Sequence, residues 1–314
     1  MANLISRLFS EGLFVGRKGL TTQKMGLKRQ LLRLSLFVGL IGAVVLGLGN
    51  MFKERFIFYP VKGLEHSILK TGWPNAEEVW LEGLKGRFYA WWAPSEVERP
   101  VVLLLHGNGG NLTDMIGRIM TYHWLKIGVL AIDYEGYGLS EGKPSLEAAV
   151  FDAVAAWDYL VDVKKVNPKN IIVHGYSLGG GIAGQLLKAR PISHPVVFES
   201  TFTSLTAAAE SSLPSLGPLP KLFLGGAYDT QKVLASYKAT IAIFAHSPED
   251  EVVAYKLGQA LYESYHNGPK IMVEFTGGHL NYLLNQGRLE RALIDGLKLT
   301  FPKVPATPEP QADF

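Results

Sequence analysis

The sequence contains no cysteine among its 314 residues. That absence excludes a disulfide framework, a thiolate zinc site and a thiol nucleophile. The chain also lacks the metal-binding spacing H-E-x-x-H and the phosphate-binding pattern G-x-x-x-x-G-K-[ST]. We therefore expect no metal and no other cofactor, and any chemistry should rest on the chain's own side chains and backbone.

A strong charge of one sign is also missing. Lys and Arg number 31 against 28 Asp and Glu, so the formal net charge is only +3 at pH 7. A nucleic-acid-binding domain concentrates basic residues on one face, and no RNA- or DNA-binding motif is visible. We predict no nucleic-acid partner, and the sequence leaves the oligomeric state open.

Hydrophobic residues, in contrast, make up 47% of the chain. A chain of this length and composition buries one large core, which favours a single domain of about 250 residues with appendages. Apolar strand patterns alternate with helical patterns over most of its length. This alternation predicts an α/β fold with a mostly parallel, doubly wound sheet and a site at the carboxyl edge of its strands.

The most informative stretch is G-Y-S-L-G at residues 175–179, which follows the apolar run 171–174 and precedes a helical pattern from Gly180. A strand, G-x-S-x-G and a helix in this order are typical of a nucleophile elbow. The glycines on either side of Ser177 remove side chains that would clash in so sharp a turn. The elbow exposes the serine hydroxyl at a helix N-terminus, where negative charge is stabilised.

A second apolar run, 101–105, opens into the glycine-rich turn H-G-N-G-G-N at 106–111. In enzymes with a nucleophile elbow, such a loop supplies one oxyanion-hole amide, and the residue after the nucleophile supplies the other. The predicted donors are the backbone N–H groups of Asn108 and Leu178. We interpret His106 as a structural residue that braces the loop.

A serine nucleophile needs a general base and an acid that orients the base. With the chain order serine, acid, histidine, the candidates for the base are His266 and His279. His279 lies between a strand pattern and a helix pattern, which is a catalytic loop position. His266 lies in the last turn of a predicted helix, where the helix dipole alone explains a histidine.

Three adjacent carboxylates, Glu249, Asp250 and Glu251, follow the predicted strand 241–245. We predict Asp250 as the acid, because it comes just before the apolar pair Val252 and Val253 that opens the next helix. Glu249 and Glu251 are expected to be solvated. The sequence pattern alone leaves the choice among the three open.

Four further segments carry a family resemblance: R-F-I-F-Y-P at 55–60, D-Y-E-G-Y-G-L-S-E-G at 133–142, F-E-S-T-F at 198–202 and D-E-V-V at 250–253. With the elbow, they make the chain similar to serine hydrolases of the α/β-hydrolase superfamily. It most resembles the single-pass, membrane-anchored branch with a short cap, which includes thioesterase-like and acylglycerol-lipase-like members. The resemblance covers about residues 53 to 300.

The chain departs from this branch in places that do not touch the predicted triad. Glu135 stands where the family often has arginine. His246-Ser247 stands where His-Gly is usual, and the strand at Ile241 lacks a preceding proline. These departures bear on the local geometry near Asp250 more than on that near Ser177.

Nineteen residues without a charge, 34–52, form the second strong signal. As a helix they would span about 28 Å, close to the hydrocarbon thickness of a bilayer. A cleaved signal peptide is disfavoured by the long preceding segment and by the lack of a small-x-small site. A buried core helix is disfavoured because the run is apolar all round. We predict a transmembrane helix that serves as a signal anchor.

The flanking charges predict the orientation of this helix. Segment 1–33 is basic, with seven Lys or Arg and one acid, Glu11, whereas Lys53 and Arg55 follow the run with Glu54 between them. The positive-inside rule then places the N-terminus in the cytoplasm and the catalytic domain on the other side, in the periplasm, a lumen or the exterior. Segment 1–33 could alternatively form a basic amphipathic surface helix.

These patterns divide the chain into a basic segment 1–33, a transmembrane helix 34–52, a hydrolase domain 53–301 and a disordered tail 302–314. Residues 201–239 are rich in proline and glycine turns, and the fold places its cap there. An extended surface loop is the equal alternative for this segment.

The predicted function is a membrane-anchored serine hydrolase that cleaves an ester or thioester of a small-molecule or lipid acyl substrate. Ser177, Asp250 and His279 would form its triad. Two alternatives stay open: a serine peptidase of the aminopeptidase kind, and a binding protein that keeps the hydrolase fold without the chemistry.

Overall fold

The computed structural model describes residues 32, 35, 36, 47, 49, 53–96 and 99–300. The chain divides into two compact units, Met1–Met51 and Phe52–Phe314. Most of the predicted span 34–52, nearly all of segment 1–33 and the whole tail 302–314 fall outside the described residues. In the described part of the chain, no helix has the length and apolarity needed to cross a membrane.

An eight-stranded sheet forms the centre of the second unit, with two more short strands paired beside it. The described residues form ten strands: β1 (Tyr59–Pro60), β2 (Glu77–Glu82), β3 (Arg87–Ala93), β4 (Val101–Leu105), β5 (Gly109–Gly110), β6 (Gly128–Asp133), β7 (Ile171–Tyr176), β8 (Val196–Glu199), β9 (Ala242–His246) and β10 (Lys270–Glu274). The large sheet has the order β10-β9-β8-β7-β4-β6-β3-β2. Only the β2–β3 and β3–β6 pairings are antiparallel, so the predicted mostly parallel sheet is confirmed.

Helices connect the parallel strands. The α-helices are α1 (Ile116–Trp124), α2 (Leu146–Asp158), α3 (Leu178–Ala189), α4 (Leu205–Ser212), α5 (Leu219–Leu224), α6 (Thr230–Leu234), α7 (Tyr255–Ser264) and α8 (Tyr282–Leu297). The sequence predicts one helix over 146–163, but α2 ends at Asp158 and the chain continues as a π-helical turn, Tyr159–Val163. Helix α3 begins at Leu178, directly after Ser177, and therefore two residues earlier than predicted.

Both faces of the sheet are buried, and β4 shows how. Val101, Leu103 and Leu105 join the apolar core on one face, and Val102 and Leu104 join the core on the other. Side chains alternate between faces along a strand, so a strand covered on both sides reads as a continuous apolar run. This is why the patterns of β4, β6 and β7 are uninterrupted in the sequence.

The strand order reverses at β4, whose neighbours are β6 on one side and β7 on the other. Ligands of doubly wound sheets bind outside the carboxyl ends of the strands at such a reversal. The loops after β4 and β7 meet there, since a Cβ added at Gly107 would lie 3.3 Å from the Cβ of Ser177. The sheet thus brings together the two glycine-rich turns that the sequence singled out.

Segment 201–239 follows β8 and contains the short helices α4, α5 and α6. The hydroxyl of Ser212, at the end of α4, donates to the carbonyl oxygen of Val252 at 3.4 Å. About half of the segment predicted as a cap or loop is therefore helical, and its first helix contacts the loop that follows β9.

Candidate active site

Ser177 forms the turn between β7 and α3 with φ 53° and ψ −119°. Non-glycine residues rarely adopt positive φ, and strain of about 1–3 kcal/mol at such a position persists only where the surroundings enforce it. Here the amide of Ser177 donates to the carbonyl of Glu199 at 2.9 Å, and the hydroxyl of Thr201 donates to the carbonyl of Ser177 at 2.7 Å. The end of β8 thus holds the strained turn in place.

Gly175 and Gly179 make this turn possible. A Cβ at Gly175 would lie 2.3 Å from the carbonyl oxygen of Gly179, and a Cβ at Gly179 would lie 2.2 Å from the carbonyl oxygen of Leu105. Both obstacles are backbone atoms, which cannot move aside as a flexible side chain could. For Gly175 the obstacle lies within the turn, as predicted, whereas Gly179 makes room for the end of β4.

The structure brings Ser177, His279 and Asp250 into one hydrogen-bonded chain. Nε2 of His279 lies 3.1 Å from Oγ of Ser177, and Nδ1 lies 2.7 Å from Oδ2 of Asp250. All three side chains are buried. With Nδ1–H donating to Asp250, Nε2 is left as an acceptor that faces the serine hydroxyl. This is the arrangement that a general base needs.

Asp250 is held by further hydrogen bonds on the loop after β9. The amides of Val252 and Val253 donate to Oδ1 at 2.9 and 2.7 Å, and Nε2 of His246 lies 3.2 Å from Oδ2. Burial alone would raise the pKa of Asp250, but the hydrogen bonds from His246 and His279 outweigh it and hold the pKa well below its usual range. The carboxylate therefore stays charged at neutral pH beside the ring of His279.

Glu249 and Glu251 are exposed as expected. They also contact the loop after β10, which carries His279. Oε2 of Glu251 accepts from the amide of His279 at 3.1 Å, and Oε2 of Glu249 accepts from the amide of Gly277 at 3.0 Å. The expectation that both are merely solvated is thus incomplete. Their carboxylates, on the loop after β9, accept hydrogen bonds from backbone amides of the loop after β10. His266 lies exposed beyond the end of α7 and outside this cluster.

The predicted oxyanion-hole donors are the backbone amides of Leu178 and Asn108. Leu178 is the first residue of α3, where an amide has no acceptor within its own helix. Asn108 lies on the loop after β4, and its carbonyl oxygen accepts from the amide of Tyr59 at 2.8 Å and from the hydroxyl of Tyr137 at 2.6 Å. To other described residues, the amides of Asn108 and Leu178 donate no hydrogen bond. The oxyanion hole at these two amides stays a prediction.

Comparison with known proteins matches residues 102–286 to the alpha/beta hydrolase family. The chain belongs to the alpha/beta hydrolase family. Over 287 residues it is 31% identical to the Alpha/beta hydrolase domain-containing protein WAV2 of Arabidopsis thaliana, covering 81% of this chain and 91% of that protein. Residues 102–286, which match the family, contain the elbow, the loop after β4 and the predicted acid and base.

Solved structures of alpha/beta hydrolases share the fold. The alpha-beta hydrolase of Vibrio vulnificus superposes with a TM-score of 0.60 at 25% identity, covering 73% of this chain and 82% of that one. The Pyrococcus furiosus esterase Pf2001 gives a TM-score of 0.60 at 19% identity, covering 77% and 97%. Esterases are thus among the structural neighbours of this hydrolase-family chain.

Behind the elbow lies a buried ionic cluster that the sequence analysis did not predict. Arg118 of α1 pairs with Glu199 at the end of β8, and Nε2 of His174 lies 3.0 Å from the same carboxylate. Burial would raise the pKa of Glu199, but Arg118 and His174 outweigh it and hold that pKa well below its usual range. The F-E-S-T-F motif pointed to Glu199, whereas nothing in the pattern around Arg118 marks it as the partner.

The guanidinium of Arg118 lies over the rings of Tyr176 and Tyr282, at 3.9 and 4.3 Å from their centroids. The ring of Tyr176 in turn lies 5.2 Å from the ring of His279, and its hydroxyl donates to the carbonyl of His279 at 3.3 Å. The ionic cluster therefore supports the ring against which the predicted base packs.

His106 is buried between the rings of Tyr134 and Tyr137, at centroid distances of 4.3 and 4.8 Å. Burial lowers its pKa to about 4, so the ring is neutral at physiological pH. These contacts fit the structural role that the sequence predicts for His106. Among the described residues, no cluster of three or more His, Asp or Glu side chains could hold a metal ion.

Proposed function

We propose that this alpha/beta hydrolase is a serine hydrolase that cleaves esters or thioesters of acyl substrates through an acyl-enzyme. The observation that carries the proposal is the hydrogen-bonded chain from Ser177 through His279 to Asp250, with the serine on a strained elbow. A serine with a hydrogen-bonded base, and a base with a buried carboxylate, are the parts that nucleophilic acyl transfer requires.

In the proposed mechanism, Oγ of Ser177 attacks the acyl carbonyl carbon and its proton passes to Nε2 of His279. The charged carboxylate of Asp250 stabilises the imidazolium that forms. The tetrahedral oxyanion accepts hydrogen bonds from the amides of Asn108 and Leu178, each worth about 3 kcal/mol. The leaving group departs with the proton from His279. Water, deprotonated by the same nitrogen, then releases the acid and regenerates Ser177.

We also propose that residues 34–52 anchor the protein in a bilayer. Support comes from the sequence alone: nineteen uncharged residues preceded by a basic segment. The charge difference favours a cytoplasmic N-terminus and a catalytic domain on the opposite side of the membrane. An anchored hydrolase meets acylated or lipidic substrates at the membrane surface, which favours these over small water-soluble esters.

The test compares p-nitrophenyl esters of increasing chain length, an acyl thioester and an amino-acid p-nitroanilide, on wild type and Ser177→Ala. The proposal predicts turnover of esters or thioesters that vanishes in Ser177→Ala. Turnover confined to the anilide would favour a peptidase instead. A folded wild type that hydrolyses none of these would favour a binding protein.

A further inference from the structure

Large apolar side chains lie exposed on the three segments, partly loop and partly helix, that follow β8, β9 and β10. We call this set the apolar rim, and it consists of Leu213, Leu216, Leu219, Leu222, Val252, Leu280, Leu283 and Leu284. The last three are 80%, 72% and 71% exposed. A single exposed leucine needs no explanation, but a group of them on one edge marks an interaction site.

Hydrogen bonds join the segments of the rim to one another and to the residues that carry Asp250 and His279. Ser212 bonds to the carbonyl of Val252, and Glu251 accepts from the amide of His279, which directly precedes Leu280. Hydrogen bonds thus link the segment after β8 to the loop after β9, and that loop to the segment after β10. All three segments leave the carboxyl ends of parallel strands, so they lie at the same edge of the sheet.

The domain itself begins at this same edge. The uncharged run 34–52 ends in the sequence immediately before its short helix Lys53–Phe56, in which Phe56 is 75% exposed. The next strand, β1, pairs with β5, and the amide of Tyr59 donates to the carbonyl of Asn108 beside the site. The described chain that follows this bilayer-length run therefore lies next to the loop after β4, which holds Asn108.

We propose that the apolar rim docks on the surface of a lipid bilayer and places the edge of the sheet that holds Ser177 against the acyl chains. The occupant is lipid because the rim is apolar and because a bilayer-length run directly precedes the part of the domain that lies at the same edge of the sheet. The docked rim would let an acyl substrate pass from the leaflet to Ser177 without crossing water. This last step rests on the proposed function, whereas the docking itself does not.

Exposed apolar residues at the opposite edge provide a matched control. Trp124 ends α1 and is 67% exposed, and Val163 follows α2 and is 61% exposed. Both precede segments that lead to the amino ends of strands, β6 and β7. If exposure alone drove lipid contact, these positions would contact lipid as strongly as Leu284.

The natural lack of cysteine makes the test direct. The full chain with Leu284→Cys or Val163→Cys is labelled with one fluorophore and reconstituted in phosphatidylcholine vesicles. A lipid-bound nitroxide should quench the label at position 284 several-fold more than that at 163, and aqueous iodide should show the reverse order. Equal quenching by the lipid nitroxide would overturn the proposal. So would a label at 284 shielded from both quenchers, which would assign the rim to a protein segment or a second copy.

A second variant pair tests delivery of substrate. Leu283→Gln with Leu284→Gln should lower the ratio of vesicle-embedded to water-soluble ester hydrolysis about tenfold, since two leucines leave the interface. Trp124→Gln with Val163→Gln should leave that ratio unchanged. An unchanged ratio in the first pair would contradict delivery from the leaflet. The quenching measurement repeated in Ser177→Ala needs no catalysis, so it distinguishes failure of docking from failure of the proposed function.

Discussion

Oε2 of Glu251 accepts a hydrogen bond from the backbone amide of His279 at 3.1 Å, while Oδ2 of the adjacent Asp250 accepts from the ring of the same histidine at 2.7 Å. One loop therefore fixes both the backbone and the ring of His279. Two neighbouring carboxylates thus bind the same residue, Glu251 at its backbone amide and Asp250 at its ring. Only the ring contact can set the tautomer of the base.

These separate contacts with His279 predict different effects on kcat for two isosteric substitutions. Asp250→Asn removes the charge beside Nδ1 and should lower kcat by about 10³- to 10⁴-fold. Glu251→Gln keeps an acceptor near the amide of His279 and should lower kcat less than about tenfold. Steady-state kinetics on an ester substrate check both. Equal losses in the two variants would contradict the assignment of Asp250 as the acid.

The packing of the elbow predicts that Gly179 tolerates no side chain. In Gly179→Ala the new Cβ meets the carbonyl oxygen of Leu105, and the overpacking should cost about 2 kcal/mol or more of unfolding free energy. Gly287→Ala is the control, because Gly287 lies exposed in α8 with nothing within 4 Å of its added Cβ. It should stabilise the fold by about 0.5–1 kcal/mol. Thermal unfolding of both variants measures the difference in stability. An unchanged stability of Gly179→Ala would contradict the predicted clash.

The buried pair of Arg118 and Glu199 predicts a large loss of stability on removal of one partner. Arg118→Met leaves the Glu199 carboxylate buried without its principal counter-ion, which should cost about 3–5 kcal/mol. Arg87→Met breaks a half-exposed pair with Glu141 and should leave the melting temperature almost unchanged. Chemical denaturation of the two variants provides the comparison. A similar small effect in both would mean that the cluster behind the elbow is not a stabilising element.

A fourth prediction concerns Asp152 of α2. Burial raises its pKa to about 8, and its Oδ2 accepts from the amide of Glu135 at 2.8 Å. Because the folded-state pKa lies above the unfolded value of about 4, the folded chain binds the extra proton between these pH values. The stability that this group contributes is present below about pH 4 and is lost as the pH rises towards 8.

Asp152→Asn keeps the shape of the side chain and removes that titration. The melting temperature of the variant minus that of wild type should therefore increase from about pH 5 to about pH 8 and then level off. A difference that stays constant over this range, or that decreases, would show that Asp152 is not held protonated in the fold. Glu147→Gln, at an exposed position of the same helix, serves as the control.

Much of this arrangement could be predicted from local sequence. The strand–elbow–helix order at residues 171–189 follows from an apolar run and glycines at fixed positions, which are local signals. The partnership of Arg118 with Glu199 could not be predicted in this way, because the residues are 81 positions apart and only the sheet order brings them together. The contacts of Glu249 and Glu251 are likewise tertiary, and adjacent carboxylates look alike in sequence. The π-helical turn after Asp158 continues the apolar periodicity of α2, so periodicity alone does not mark where the α-helix ends.

The proposed function depends on Ser177 being a nucleophile that His279 activates. Labelling with a fluorophosphonate probe tests it most directly, on wild type beside Ser177→Ala and His279→Ala, each shown to be folded by its thermal transition. We expect labelling of wild type at Ser177 and loss of labelling in both variants. Labelling that persists in Ser177→Ala, or a folded wild type that does not react with or without lipid vesicles, would contradict it.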